Sequence, residues 1–424
     1  MYNYNTLSSQ IQLNYQNYFH SLVKDMSIPD SKFIFSSLVG ILKSNSCHLT
    51  KIGRKLYEKI TFKKTVDRLS NHFIKFDMQD VLKSNYINQI KELKLIDDDP
   101  IFVVDDSDIS KPLSKHLEGL DKVPDGSNEH KATLGYWITE IVALSNKDTP
   151  ISTYSNLWST KEDEFVSKNK ILFDALEENI KNFGNIGTYT FDRGFDSNAL
   201  FKFMINNDLK FITRLKTNRN VYINDKKYSI KDLNYKGKYK FNRTNQKGTY
   251  YNKLTYTKVS LQGMRNQEFT LILIYSDIHD EPCILLTNRT IKDYHDAKKA
   301  ASDYFRRWRI EEYFKFKKQE FKFEDIRIRS LNGLKLMNLL INYVITFLAQ
   351  YTNKATWIAK KIHQISKSIK HEVIFNYYRV LIGIREILNT VVTKVTDYIN
   401  QYIRDPIYIL RKCKQINLFN YKYQ

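Results

Sequence analysis

In the middle of this 424-residue chain, short apolar runs rich in β-formers end at acids and then alternate with stretches of helical spacing. That texture restricts the fold to a mixed α/β sheet, because strands separated by helices must return across the sheet to a neighbour. The run Ile101-Phe102-Val103-Val104 ends in Asp105-Asp106. Residues 134–144 (LGYWITEIVAL) and 151–157 read as the next two strands. A helix is expected over 162–183, a strand over 186–192, a short helix over 197–206 and a strand over 209–215. Ahead of this region the chain reads as helical. Ile34, Leu38, Ile41 and Leu42 recur at helical spacing, as do Leu56, Ile60 and Val66. After it, residues 269–275 and 283–287 look like strands, and 293–318, 331–352 and about 355–424 look helical.

Charge adds a second constraint. Lys and Arg number 67 against 46 Asp and Glu, a net +21, while hydrophobic residues make up 42% and aromatics 14%. The composition is globular and excludes a wholly disordered chain. The excess points to an anionic partner, nucleic acid before membrane. Part of it reflects an abundance of Lys that accompanies Asn, Ile and Tyr. Residues 215–260 carry twelve Lys and Arg against only Asp225 and Asp232, with Tyr interleaved, which suits hairpins with a basic face for phosphate backbone. Lys51, Arg54, Lys55, Lys63, Lys64 and Arg68 make two N-terminal segments basic, readable as a DNA-contacting face or as a solvated one. The three cysteines lie far apart, with no Cys-x-x-Cys pair, which suits a reducing cytoplasm. The N-terminal stretch MYNYNTLSSQIQLNYQ is too polar for a signal peptide to be expected there. The longest apolar stretch, 334–349, contains Asn338 and Asn342 and reads as a buried helix rather than a membrane span. Neither a membrane nor a small-molecule substrate is expected.

Three acids stand where chemistry collects in such folds. Asp106 closes the first strand, Asp192 closes the fourth on the side of Thr188 and Thr190, and Glu311 lies on a late helix. Carboxylates without His or Cys suit hard divalent cations, and two of these about 4 Å apart can serve phosphoryl transfer. On a continuous helix with about 100° per residue, Tyr304, Arg307, Glu311 and Lys318 share one stripe about 60° wide. Ile310, Phe314 and Phe321 form an adjacent apolar stripe. A salt-bridged solvent face has the same spacing, so the wheel alone leaves both readings open.

These residues resemble a known family. YFRRWRIEEYFKFKK, 304–318, is similar to the Y-x2-R-x3-E-x6-K signature of the IS-four family of DDE transposases from bacterial insertion sequences. VVDDSDISKP, 103–112, resembles its first-aspartate motif, with Ser107 where Thr is usual, and FDRGFD, 191–196, resembles its second. The resemblance covers roughly 100–330. It implies an RNase H-like mixed-sheet core over 99–330 with a β-rich basic insertion at about 216–287, between a helical DNA-binding region (1–98) and a helical C-terminal region (331–424). It implies that Asp106, Asp192 and Glu311 are catalytic and hold two Mg²⁺ ions, for which Mn²⁺ would substitute. Asp105 is the alternative first carboxylate, on the opposite face of the strand. Tyr304, Arg307 and Lys318 would contact the DNA strand near the cleaved phosphate, with Arg214 and Lys216 as further basic contacts. Asp196 is expected to cap the next helix, Glu312 to turn away from the site, and Trp308 either to pack or to stack on DNA. The implied activity is cut-and-paste transposition of double-stranded DNA. It would cleave at terminal inverted repeats, pass through hairpin ends in some members, and transfer strands into target DNA from a homodimeric synapse. A repurposed DNA-binding protein or a related metal-dependent nuclease is the alternative.

Overall fold

The computed structural model describes residues 4–125, 128–144, 149–233, 237–245, 248–277, 279–352, 355–366 and 375–390. The C-terminal tail expected to be helical beyond residue 390 lies outside them. Five helices come first: α1 (Tyr4–Leu22), α2 (Ile28–Ser44), α3 (Leu49–Arg54), α4 (Phe62–Lys75) and α5 (Gln79–Glu92). The spacing of Leu56, Ile60 and Val66 does not belong to one helix. Residues 55–61 form a loop that leaves Ile60 exposed, and Thr61 begins α4.

The central elements are β1 (Ile101–Ser110), β2 (Asp121–Asp125), β3 (Asn128–Leu144), β4 (Pro150–Trp158), α6 (Lys168–Phe183), β5 (Thr188–Phe191), α7 (Asn198–Asn206) and β6 (Lys210–Arg214). β4, β3 and β1 pair antiparallel, and β1, β5 and β6 continue in parallel. Three antiparallel strands extended by two parallel ones, with helices in the crossovers, form the RNase H-like core. Ser167 and Ser197 start the two crossover helices by accepting hydrogen bonds from the backbone N–H groups of Lys170 and Leu200.

Beyond β6 come β7 (Asn220–Ile223), β8 (Lys226–Ser229), β9 (Tyr239–Lys240), β10 (Arg243–Asn245), β11 (Gly248–Tyr250), β12 (Asn252–Leu261), β13 (Met264–Ser276) and β14 (His279–Thr287). β14 pairs with β6, and β13, β12, β7 and β8 follow in order, so the insertion extends the core sheet. Lys226, Lys227, Lys231, Lys238, Lys240, Lys253 and Lys258 are all exposed there.

The chain closes with α8 (Tyr294–Phe305), a 3₁₀ turn at Arg306–Trp308, α9 (Arg309–Glu320), α10 (Leu331–Ala349), α11 (Trp357–Ile365) and α12 (Tyr377–Thr390). The alternation of the strands sorts the core into layers. Phe102, Val104, Ile141, Tyr189 and Phe191 face α6 and α7. Ile101, Val103, Ile138 and Val142 face the other way, into a core shared by α9, α10, α12 and the N-terminal helices. Helices from both ends of the chain thus form one layer on one face of the sheet. α10 is buried along nearly its whole length.

The parallel start of β5 rests on Gly187. Its φ is +71°, and a Cβ there would lie 2.3 Å from the Pro100 carbonyl oxygen, which accepts the Thr188 N–H at 2.9 Å. Gly187→Ala is therefore expected to cost at least about 1–3 kcal/mol. Chemical denaturation checks this, and an unchanged midpoint would refute it.

Candidate active site

β1 runs past both of its acids. The sequence pattern places the strand end at Asp106, whereas pairing with β3 continues to Ser110 opposite Gly135. What ends at the acids is the other neighbour, because β5 pairs with β1 only up to Val104 opposite Phe191. One step further, Asp105 and Asp192 stand level where the two parallel strands diverge. Period-two alternation settles their faces. Val104 and Phe191 both point toward α6 and α7, so Asp105 and Asp192 point to the opposite side.

The side chains agree with this register. Arg307 Nη1 lies 3.2 Å from Asp105 Oδ2, and its Nη2 lies 3.9 Å from Asp192 Oδ1 and 2.9 Å from Glu311 Oε1. One guanidinium therefore joins Asp105, Asp192 and Glu311. Asp106 is not in this group. Its Oδ1 accepts from Thr139 Oγ1 at 2.6 Å, and that hydroxyl also accepts from the Trp158 indole N–H at 3.0 Å. The expectation that Asp106 joins Asp192 and Glu311 is thus corrected by strand register: the residue beside them is Asp105.

Burial pushes the Asp105 carboxyl up to about 7, against the pull of Arg307 and with help from Asp106 and Asp192. Burial also raises Asp106, and its Thr139 hydrogen bond opposes the rise. Burial disfavours the Arg307 charge, but Asp105 and the surrounding groups outweigh it and hold the guanidinium ionised.

The expected single helix over 293–318 is broken. Asp293 caps α8 by accepting the backbone N–H groups of His295 and Asp296, and the 3₁₀ turn then separates α8 from α9. The two halves serve different cores. Ala297, Ala300, Ala301 and Tyr304 pack on the β6, β14 and β13 side, while Ile310, Tyr313 and Phe314 enter the larger core behind β1. The shared stripe is altered accordingly. Tyr304 is buried, with its ring centroid 6.0 Å from the Arg307 guanidinium carbon, and burial raises its pKa. Glu311 keeps 55% of its side chain exposed. Lys318, a turn and more onward, lies 3.5 Å from both Asp108 and Glu324. Glu312 turns away and pairs with Arg309 at 2.5 Å. Trp308 is 40% exposed at the break.

Arg214 ends β6 on the Tyr304 side, and Lys216 is exposed just beyond it. Asp196 does not cap α7; Ser197 does. Asp196 instead ion-pairs with Arg219 at 2.5 Å and accepts the Lys216 N–H at 2.8 Å, tying the turn after β5 to the loop after β6.

Asp105, Asp192 and Glu311 offer only carboxylate oxygens, the donor type that hard divalent cations take. Among the described residues no three His, Cys, Asp or Glu side chains are drawn together into a ready metal cage. Arg307 supplies the positive charge between these acids.

Behind the site lies a polar cluster that sequence reasoning misses. Lys317 of α9 pairs with Glu140 of β3 at 3.1 Å, and their side chains are 1% and 0% exposed. An acid within the apolar run 134–144, and two Asn in an apolar helix, are its visible traces in the chain.

Lys111, at the end of β1, adds a tether. Its ammonium donates to the carbonyls of Glu324 and of Ile326 (2.8 Å), holding β1 to the segment after α9.

Residues 98–347 match the family model described as the Transposase DDE domain. The structure is also similar to the piggyBac transposase in a cryo-EM synaptic complex with hairpin DNA, at 12% identity and a TM-score of 0.46, covering 91% of this chain and 77% of that one. No curated protein matches the sequence.

Burial lowers Lys111 to about 8. Between about 8 and its ordinary value the unfolded chain holds the proton and the folded one does not, so stability from this group rises with pH there. Wild-type protein is expected to gain stability relative to Lys111→Met between about pH 8 and about pH 10. Denaturation of both proteins across that range checks this, and parallel curves would refute it.

Proposed function

The chain belongs to the transposase DDE domain family, and from that membership we propose a cut-and-paste transposase of the IS-four group that works through Asp105, Asp192 and Glu311. One observation carries the choice of residues: the Arg307 guanidinium ion-pairs with all three acids. The group assignment rests on the Tyr304, Arg307, Glu311 and Lys318 signature at family spacing. Asp105, Asp192 and Glu311 would hold two Mg²⁺ ions, with Mn²⁺ as a substitute. When bound, such cations stabilise the attacking and leaving oxygens of phosphoryl transfer.

The chain's own groups supply the positioning. Arg307 presents a planar fork that suits phosphate oxygens as well as carboxylates, so it can pass from the acids to a DNA phosphate. The buried Tyr304 ring backs that guanidinium and takes this supporting role in place of direct contact. Lys318 adds a point charge further along the strand, and Arg214 and Lys216 lead from the site toward the basic insertion.

The DNA partners proposed are the terminal inverted repeats and a target duplex, bound by a homodimer in the bacterial cytoplasm. Cleavage leaves a 3′-OH, which attacks either the opposite strand to close a hairpin or the target to join it. The N-terminal helices would read the ends. The exposed lysines of β8, β9 and β12 would hold backbone.

Two outcomes are expected. With folding retained, Asp105→Asn lowers end cleavage on the order of 10³-fold, while Asp106→Asn stays within about tenfold of wild type. The reverse pattern in a Mg²⁺ cleavage assay on repeat DNA would return the first carboxylate to Asp106. Neutralising Lys226, Lys227, Lys238 and Lys240 together makes the negative slope of log affinity against log salt shallower by about 0.9 for each DNA phosphate left without its lysine. An unaltered slope would remove the insertion from the DNA path.

A further inference from the structure

We infer that the buried Lys317–Glu140 pair is a positioning device that sets where α9 lies along the sheet, and hence where Glu311 stands relative to Asp105. The inference rests on the reading of Asp105, Asp192 and Glu311 as the cutting site.

Glu140 is the cross-strand partner of Asp105 in the β1–β3 ladder. Its position is therefore coupled to that of Asp105 through backbone hydrogen bonds. Lys317 is six residues from Glu311 on the same helix, roughly 1.7 turns along and about 120° round it. The Lys317 Nζ–Glu140 Oε2 contact, 3.1 Å long, thus joins the element that carries one acid to the strand beside the other.

Glu140 is held on every side. Its Oε1 accepts from Ser152 Oγ at 2.5 Å and Asn342 Nδ2 at 2.8 Å, and its Oε2 accepts from Ser155 Oγ at 2.9 Å. Asn342 Oδ1 in turn accepts the Tyr313 hydroxyl at 3.2 Å, a second tie to α9. Strands β3 and β4 and helices α9 and α10 therefore meet at one carboxylate.

Apolar packing could bury α9 without this cluster, and the helix already has Ile310, Phe314 and Phe316 in the core. Apolar contacts are not directional and tolerate small slides. A charge-assisted hydrogen bond inside the protein does not, because an unpaired ion there is costly. Buried ion pairs give little net stability over apolar replacements, and their best-attested use is to select one register. Reacting groups displaced by about 1 Å can lose on the order of 100-fold in rate.

The test is the volume-matched double variant Glu140→Gln/Lys317→Met, which removes both charges and strands neither. Three properties are compared with wild type: thermal midpoint, Mn²⁺ affinity by calorimetry without DNA, and cleavage of repeat DNA. The expected result is a melting temperature at or above wild type, Mn²⁺ affinity at least about tenfold weaker, and cleavage lowered by at least the same factor. A folded double variant with wild-type Mn²⁺ affinity and cleavage would overturn the proposal and leave the pair a packing feature. Should the double variant not fold, Lys317→Arg keeps the charge on a longer, planar head. A folded Lys317→Arg protein with undiminished Mn²⁺ affinity would overturn the proposal equally. Wild-type protein that neither binds Mn²⁺ nor cleaves with Mg²⁺ would instead overturn the site reading itself.

Discussion

Parallel pairing of β1 with β5 is the constraint on which the site depends. Four residue pairs, from Ile101 with Thr188 to Val104 with Phe191, fix the two strands level with each other. A shift of one residue would turn every side chain of one strand to the other face. The apolar residues forbid that shift. Phe102, Val104, Tyr189 and Phe191 must all reach the core under α6 and α7. With those four buried on one side, Asp105 and Asp192 emerge together on the other. Gly187 secures the start of this pairing by letting β5 approach the Pro100 carbonyl.

The third acid reaches the same place by a different route. It rides on α9, which is set apart from α8 by the 3₁₀ turn at Arg306–Trp308. That break lets α8 pack its alanines close to the extended part of the sheet while α9 enters the core behind β1. Arg307 sits in the break and reaches all three acids. Behind it, Glu140, Lys317, Asn342 and Tyr313 form a hydrogen-bonded cluster in which the buried carboxylate has partners at both oxygens. The same fold that buries α9 thus carries a polar core just beneath the face where Arg307 meets the three acids.

Much of this was legible in the linear chain. The β-runs at 186–192 and 209–215 and the short helix between them correspond to β5, β6 and α7 within a few residues, whereas α6 starts six residues later than its spacing suggests, at Lys168, and β1 continues past the run at 101–104 to Ser110. They were legible because local periodicity is set by which side chains must be buried. The long helix was legible except for its break, since three residues of 3₁₀ geometry leave no mark on an apolar pattern. The choice between Asp105 and Asp106 was the least legible feature. Two adjacent acids on a strand differ only in the face they take, and that face is defined by a partner strand 87 residues away.

By itself the sequence determined the composition of the site: carboxylates, an arginine and a lysine at set spacings, together with a basic insertion. Spacing and charge are local properties, so they survive in the linear order. Only the tertiary structure decided which acid of the pair meets Asp192, that Tyr304 is buried behind Arg307, and that Glu140 lies opposite Lys317. Each of these depends on strand register or on helix packing between segments far apart in the chain. Such pairings follow from burying two sheet faces at once, which no single segment encodes.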